Sequence, residues 1–103
     1  MRNMNDILRQ AQVMQQKLSK LQQEAAGHVY EASSGGGMVK AAVSGKQELV
    51  RLAIDPKALE GGDVEMLQDL IVAAVNEAGR IARETLEREM NAISGGIRIP
   101  GMV

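Results

Sequence analysis

Residues 35–78 read GGGMVKAAVSGKQELVRLAIDPKALEGGDVEMLQDLIVAAVNEA. The first part of this stretch alternates apolar and polar positions as half-buried strands do, and its last part has a helical period. Within that helix, Leu70 to Val75 is an apolar run that leaves no polar side. A helix apolar all round has to be covered all round. One small sheet covers only one side of it, so the stretch predicts that a second copy of the chain covers the other. The predicted dimer interface is Leu70, Ile71, Ala74 and Val75.

The alternation places the strands. In Met38 to Val43, Val39, Ala41 and Val43 face one way and Met38, Lys40 and Ala42 the other. Ser44-Gly45-Lys46-Gln47 makes a turn. In the next strand Val50, Leu52 and Ile54 form the apolar face, with Leu49, Arg51 and Ala53 opposite. Residues 28–34 supply a strand before the glycines, with Val29 and Tyr30 as its best formers. A glycine run that opens a helix can cradle a phosphate, but this one leads into a strand and no Lys-Ser/Thr pair follows it. It therefore reads as a hairpin turn, and the product is a three-stranded antiparallel meander with one covered face.

Two long helices flank the meander. Asp55 and Pro56 suit the start of a single turn that ends at Gly61-Gly62, and Asp63 suits the cap of the main helix. That helix runs from Val64 to Ile93, where Ser94-Gly95-Gly96 stops it, and is about 45 Å long. Its second half keeps a narrower apolar stripe of Ala82, Leu86, Met90 and Ile93. At the other end Met4, Ile7, Ala11, Met14, Leu18, Leu21 and Ala25 are spaced as a heptad seam,. Such a seam fits a helix that packs along another or projects from the body, and it equally fits an ordinary amphipathic surface helix. The predicted class is α+β, in the order α-β-β-β-α, as a single domain over residues 1–103 with residues 94–103 as a loose tail.

Composition narrows the function. A chain of 103 residues with no Phe, no Trp and one Tyr builds its core from aliphatic side chains, Ala and seven Met. Such a core is thin, and dimerisation is a common way to enlarge it. There is no cysteine, which fits a reducing compartment,. No apolar run approaches the roughly 18 residues of a membrane span, and there is no signal-peptide h-region. The expectation is a soluble cytoplasmic protein without a membrane partner.

Catalytic constellations are absent from the sequence. His28 is the only histidine and has neither a second His nor a Cys to work with,. The serines fall in turns, where they serve the backbone. Asp63, Glu65, Asp69 and Glu77 suit capping and solvated positions, and Asn76 suits a structural hydrogen bond. The expectation is no enzyme, no cofactor, no metal and no small-molecule substrate.

With a net charge of −1, nucleic acid could be held only by local basic patches,. Arg80, Arg83 and Arg88 form i,i+4 pairs with Glu84, Glu87 and Glu84 respectively, the pattern of a salt-bridged solvent face. Lys17 and Lys20 have only Glu24 near them in sequence, and Lys40 and Arg51 fall on one outer sheet face. No aromatic residues interleave with these cations, so single-strand stacking is disfavoured and duplex phosphates are the better target. The candidate DNA-binding residues are Lys17, Lys20, Arg80 and Arg83, then Lys40 and Arg51.

The ordered set of motifs is specific. The heptad helix is followed by Gly35-Gly36-Gly37-x-Val39, Gly45 and Ile54-Asp55-Pro56, then by Asp63-x-Glu65-x-Leu67-x-Asp69-Leu70, Ala73-Ala74-x-Asn76-x-Ala78 and Pro100-Gly101. The chain closely resembles the YbaB/EbfC family of bacterial nucleoid-associated proteins over nearly its whole length. The resemblance implies a homodimer whose helices project as arms and which binds double-stranded DNA in the bacterial nucleoid, with roles in nucleoid organisation and gene regulation. No DNA-contact motif carries over, so the basic residues above rest on charge and placement. The alternative is a protein-interaction module whose helical arms clasp a partner protein.

Overall fold

The structure, a computed structural model, describes residues 3–93. Helix α1 spans Met4–Gly27, strands β1, β2 and β3 span Val29–Ser34, Val39–Ser44 and Leu49–Ile54, and helix α2 spans Val64–Ile93. This is the α-β-β-β-α order of the α+β class. The expected tail at residues 94–103, with the stop at Ser94-Gly95-Gly96 and Pro100-Gly101, lies outside the described residues.

Local chemistry sets the boundaries. Asn3 caps α1 by accepting the Asp6 amide at 2.9 Å, and Asp63 caps α2 by accepting the Met66 amide at 2.9 Å. Asp55 accepts the Lys57 amide, and with Pro56 it opens a single 3-10 turn, Pro56–Leu59. Between β1 and β2, Gly35, Gly36 and Gly37 have φ of 60°, 67° and 95°. That left-handed backbone suits glycine. Gly35 is doubly constrained, because a Cβ there would meet Leu70 Cδ2 at 2.9 Å.

The sheet is antiparallel in the order β1-β2-β3. Tyr30, Ala32 and Ser34 pair with Val43, Ala41 and Val39. On the other side of β2, Val39, Ala41 and Val43 pair with Ile54, Leu52 and Leu49. Opposed residues share a face, so all nine lie on the face that α2 covers. The register shifts between Ala42 and Val43 and leaves Val50 without an opposed residue. This bulge corrects the simple alternation: Leu49, not Val50, joins Leu52 and Ile54 on the α2 face.

The core is thin, as composition suggests. Val39, Ala41 and Val43 pack under Ala74, Ala78 and Ala82, with Tyr30, Leu67, Leu70, Ile71 and Val75 around them. Val39 is the largest fully buried side chain among the described residues. The alanines let α2 lie close to the sheet, and Ser34 Oγ ties them by donating to the Leu70 carbonyl at 2.6 Å. Beyond the sheet, α1 packs along α2. Its half-buried Met14, Leu18 and Leu21 and buried Ala25 come from the heptad seam, while Met4, Ile7 and Ala11 stand exposed. Leu86, Met90 and Ile93 of α2 are half-buried. The helices make the molecule long, 72 × 26 × 16 Å.

Candidate dimer and nucleic-acid interfaces

Helix α2 lies across β1 and β2 and scarcely touches β3. The α2-facing side of β3 is therefore an open ledge. On it Leu49, Leu52 and Ile54 are 48%, 38% and 36% exposed. A groove of about 200 Å³ runs between the ledge and the flank of α2, lined by Val43, Leu49, Val75, Asn76, Gly79 and Arg83 among others. Val72 precedes Val75 and Asn76 by three and four residues, which puts it on the same flank, and it is 57% exposed. Apolar surface of this extent on an edge strand is a marker of an interaction site.

The four interface residues predicted from sequence are placed as follows. Ala74 is fully buried in the chain's own core, and Leu70, Ile71 and Val75 are half-buried around it. The sides of the apolar run left open in one chain are Val72 and Ala73. Asn76 is exposed beside Leu49 rather than buried. The alternation places Leu52 and Ile54 on the apolar face but not Leu49, because the bulge has no signature in it, and nothing in it shows that α2 stops short of β3.

The predicted basic residues divide by their partners. Lys17 and Lys20 are exposed on α1 and form no ion pair among the described residues. Lys40 is likewise exposed and without an ion pair there. Arg80 is held by two carboxylates. Its Nε donates to Glu77 Oε2 at 3.0 Å and its Nη1 to Glu84 Oε2 at 2.6 Å. These bonds raise the Arg80 pKa further, and the same hydrogen bonding holds the Glu77 carboxyl below its ordinary value. The expected Arg83–Glu87 and Glu84–Arg88 pairs do not form. Arg83 Nη1 donates instead to Gln47 Oε1 at 3.4 Å and Arg88 Nη2 to Thr85 Oγ1 at 3.4 Å. The Gln47 backbone, at φ 66°, belongs to the β2–β3 turn that also carries Lys46.

Lys40 and Arg51 do share the outer sheet face. Glu31, Ala42 and Arg51 stand in one row across the three strands. Arg51 and Glu31 form an ion pair over Ala42. Ser33, Lys40 and Ala53 form the next row. The Glu31–Arg51 pair joins residues 20 apart in sequence and follows from the row that the strand register sets, not from any local spacing.

Chemistry of other kinds finds no assembled group. No cluster of three or more His, Asp or Glu among the described residues stands close enough to hold a metal ion. His28 is exposed, its ring 6.3 Å from that of Tyr30. Burial, and secondarily Glu89, raises the Tyr30 pKa, which keeps the phenol neutral. No described helix is long and apolar enough to cross a membrane.

Comparison with known proteins adds identity to this geometry. Residues 1–97 match the model of the YbaB/EbfC DNA-binding family. A nucleoid-associated protein of Moorella thermoacetica is 52% identical over 101 residues, which cover 98% of this chain and 97% of that one. A nucleoid-associated protein of Thermoanaerobacter pseudethanolicus is 47% identical over 100 residues, covering 97% of this chain and 90% of its relative. Among solved structures, an uncharacterized protein from Helicobacter pylori superposes with a TM-score of 0.71 at 27% identity, over 85% of this chain and 92% of that chain.

Proposed function

Because the chain belongs to the YbaB/EbfC DNA-binding family, we propose that it is a nucleoid-associated protein that binds duplex DNA as a homodimer, and not an enzyme. The observation that carries this reading is the family match along residues 1–97. The named relatives point the same way. The protein works in the bacterial cytoplasm on the nucleoid and influences nucleoid organisation and gene expression.

The dimer covers what one chain leaves open. A second copy lies on the β3 ledge and the adjoining flank of α2, reaching Leu70, Ile71 and Val75 above Ala74. Support comes from the exposed Leu49, Leu52, Ile54 and Val72 beside a core whose largest fully buried side chain is Val39. Burying one large aliphatic side chain contributes about 1.5–3 kcal/mol, so a second copy adds substantially to so small a core.

DNA is held mainly through its phosphates, with little sequence specificity. Phosphate contacts position a protein without reading sequence. Lys17 and Lys20 are the first contacts, because the dimer offers each twice and neither has an ion pair to break among the described residues. Arg80 and Arg83 follow on α2, and Lys40 and Arg51 on the outer sheet face. Arg80 is the weaker of the α2 pair, since Glu77 and Glu84 already occupy it.

A second reading, an interaction module whose arms clasp a partner protein, draws on one feature. Met4, Ile7 and Leu8 stand exposed at the start of α1. Titration of the purified protein against unrelated duplexes separates the two. Comparable, salt-sensitive binding to all of them supports the DNA reading, and no binding at about 50 mM salt favours the protein partner.

A further inference from the structure

The Glu31–Arg51 pair differs from the other ion pairs among the described residues. Arg80 pairs with Glu77 and Glu84 along its own helix, at spacings of three and four residues. Glu31 and Arg51 belong to β1 and β3, strands that are not neighbours, and meet across the middle strand. Both side chains are largely in water, 62% and 60% exposed. An exposed pair of this kind contributes little to folding. Its effect on the surface is larger. The outer sheet face has two cations close in register, Lys40 and Arg51, among the small side chains of Ser33, Ala42 and Ala53. Lys40 has no ion pair among the described residues. Arg51 is neutralised by Glu31.

We propose that Glu31 sets the DNA affinity of the outer sheet face by competing with backbone phosphate for Arg51. The proposal rests on the duplex-binding reading above. The planar guanidinium suits carboxylate and phosphate alike, so the two acceptors exclude each other at this side chain. A phosphate that takes Arg51 releases Glu31 to water and leaves a carboxylate beside the DNA. Glu31 thereby weakens binding twice, by occupying the cation and by repelling the backbone. Lys40, one row away and unopposed, makes the first contact on this face, and Arg51 joins it only when its pair opens.

The test is a double-mutant cycle on duplex binding with wild type, Glu31→Gln, Arg51→Ala and the combined variant. Glu31→Gln is expected to tighten binding several-fold and to steepen the slope of log K against log salt by about 0.9 per subunit, the increment of one added phosphate contact. In the Arg51→Ala background the same change is expected to do much less. An equal gain in both backgrounds would show that Glu31 acts only as a distant negative charge. No gain in either, with wild type binding normally, would overturn the proposal and leave the duplex-binding reading intact. Wild type that binds no duplex would remove both. Thermal denaturation of the four proteins identifies a merely structural strap, which lowers stability in both single variants without changing affinity.

Discussion

The carbonyl oxygen of Ala25 lies 2.0 Å from where a Cβ on Gly45 would stand. The last turn of α1 therefore rests directly on the β2–β3 turn. Two backbone bonds complete the joint: His28 N–H donates to the Ala25 carbonyl at 3.1 Å, and Gly45 N–H to the His28 carbonyl at 3.2 Å. The obstructing atoms are backbone, so they cannot step aside as a flexible side chain would. Gly45→Ala is expected to destabilise the protein by about 1–3 kcal/mol through this overpacking. Urea denaturation checks it, and a variant as stable as wild type would show that α1 is not seated on this turn.

The legibility of the fold followed the strength of local chemistry. The bounds of α2, Val64–Ile93, came from a capping Asp63 and a long apolar period. The glycine turn and the Asp55-Pro56 turn were likewise local and readable. The face of Leu49 was not, because one unpaired residue, Val50, interrupts the alternation and puts Leu49, which precedes it, on the face of Leu52 and Ile54,. Ala74 was recognised as buried, but periodicity cannot tell a residue covered by its own sheet from one that awaits a partner. The partners of Arg83 depended on where the β2–β3 turn meets α2, a relation between elements far apart in sequence. The heptad seam shows the same limit. Its C-terminal positions find α2, and its first positions, Met4 and Ile7, do not.

The ledge gives a direct test of the dimer. Leu52→Asp puts a charge on an apolar, partly exposed strand position, and Ile71→Asp does so on α2. Both are expected to shift the protein from dimer towards monomer, Leu52→Asp with the smaller loss of fold because Leu52 is less enclosed by its own chain. Sedimentation equilibrium checks this. A stable, folded wild-type monomer at micromolar concentration would contradict it.

The heptad seam predicts a gradient along α1. Leu21→Ala removes a half-buried side chain and is expected to cost about 1–2 kcal/mol, below the range for full burial. Ile7→Ala acts on an exposed position and is expected to stay within about 0.5 kcal/mol of wild type. Chemical denaturation of the two variants side by side checks the order. Equal losses would mean that the exposed end of α1 is covered after all.

Acid acts on the Arg80 clamp with a definite sign. Hydrogen bonding to Arg80 lowers the Glu77 pKa in the folded state. Its contribution to stability is therefore present above the ordinary carboxylate value and is lost as pH falls through the lowered one. Both groups are exposed, so the effect on stability is small. Carboxyl chemical shifts should show Glu77 titrating below an unpaired glutamate, and Arg80→Gln should return it to the usual range. A Glu77 titration unmoved by Arg80→Gln would contradict the pairing.

Neutralising the α1 cations separates contacts made through phosphate from base readout. Lys17→Ala with Lys20→Ala is expected to weaken binding on every duplex alike, and Arg80→Ala less so because Glu77 and Glu84 already hold that side chain. Fluorescence anisotropy on unrelated sequences checks this. A loss confined to one sequence would point to contacts in a groove.

The most direct measurement is the salt dependence of duplex binding by wild type and the Lys17→Ala/Lys20→Ala variant, from about 50 to about 200 mM salt. Log K for wild type should fall linearly with log salt, with the same slope on unrelated duplexes. The variant's slope should be shallower by roughly 3–4, from two lost contacts in each of two subunits at about 0.9 apiece. Wild-type binding that ignores salt, or that occurs on one sequence alone, would contradict a phosphate-dominated interface.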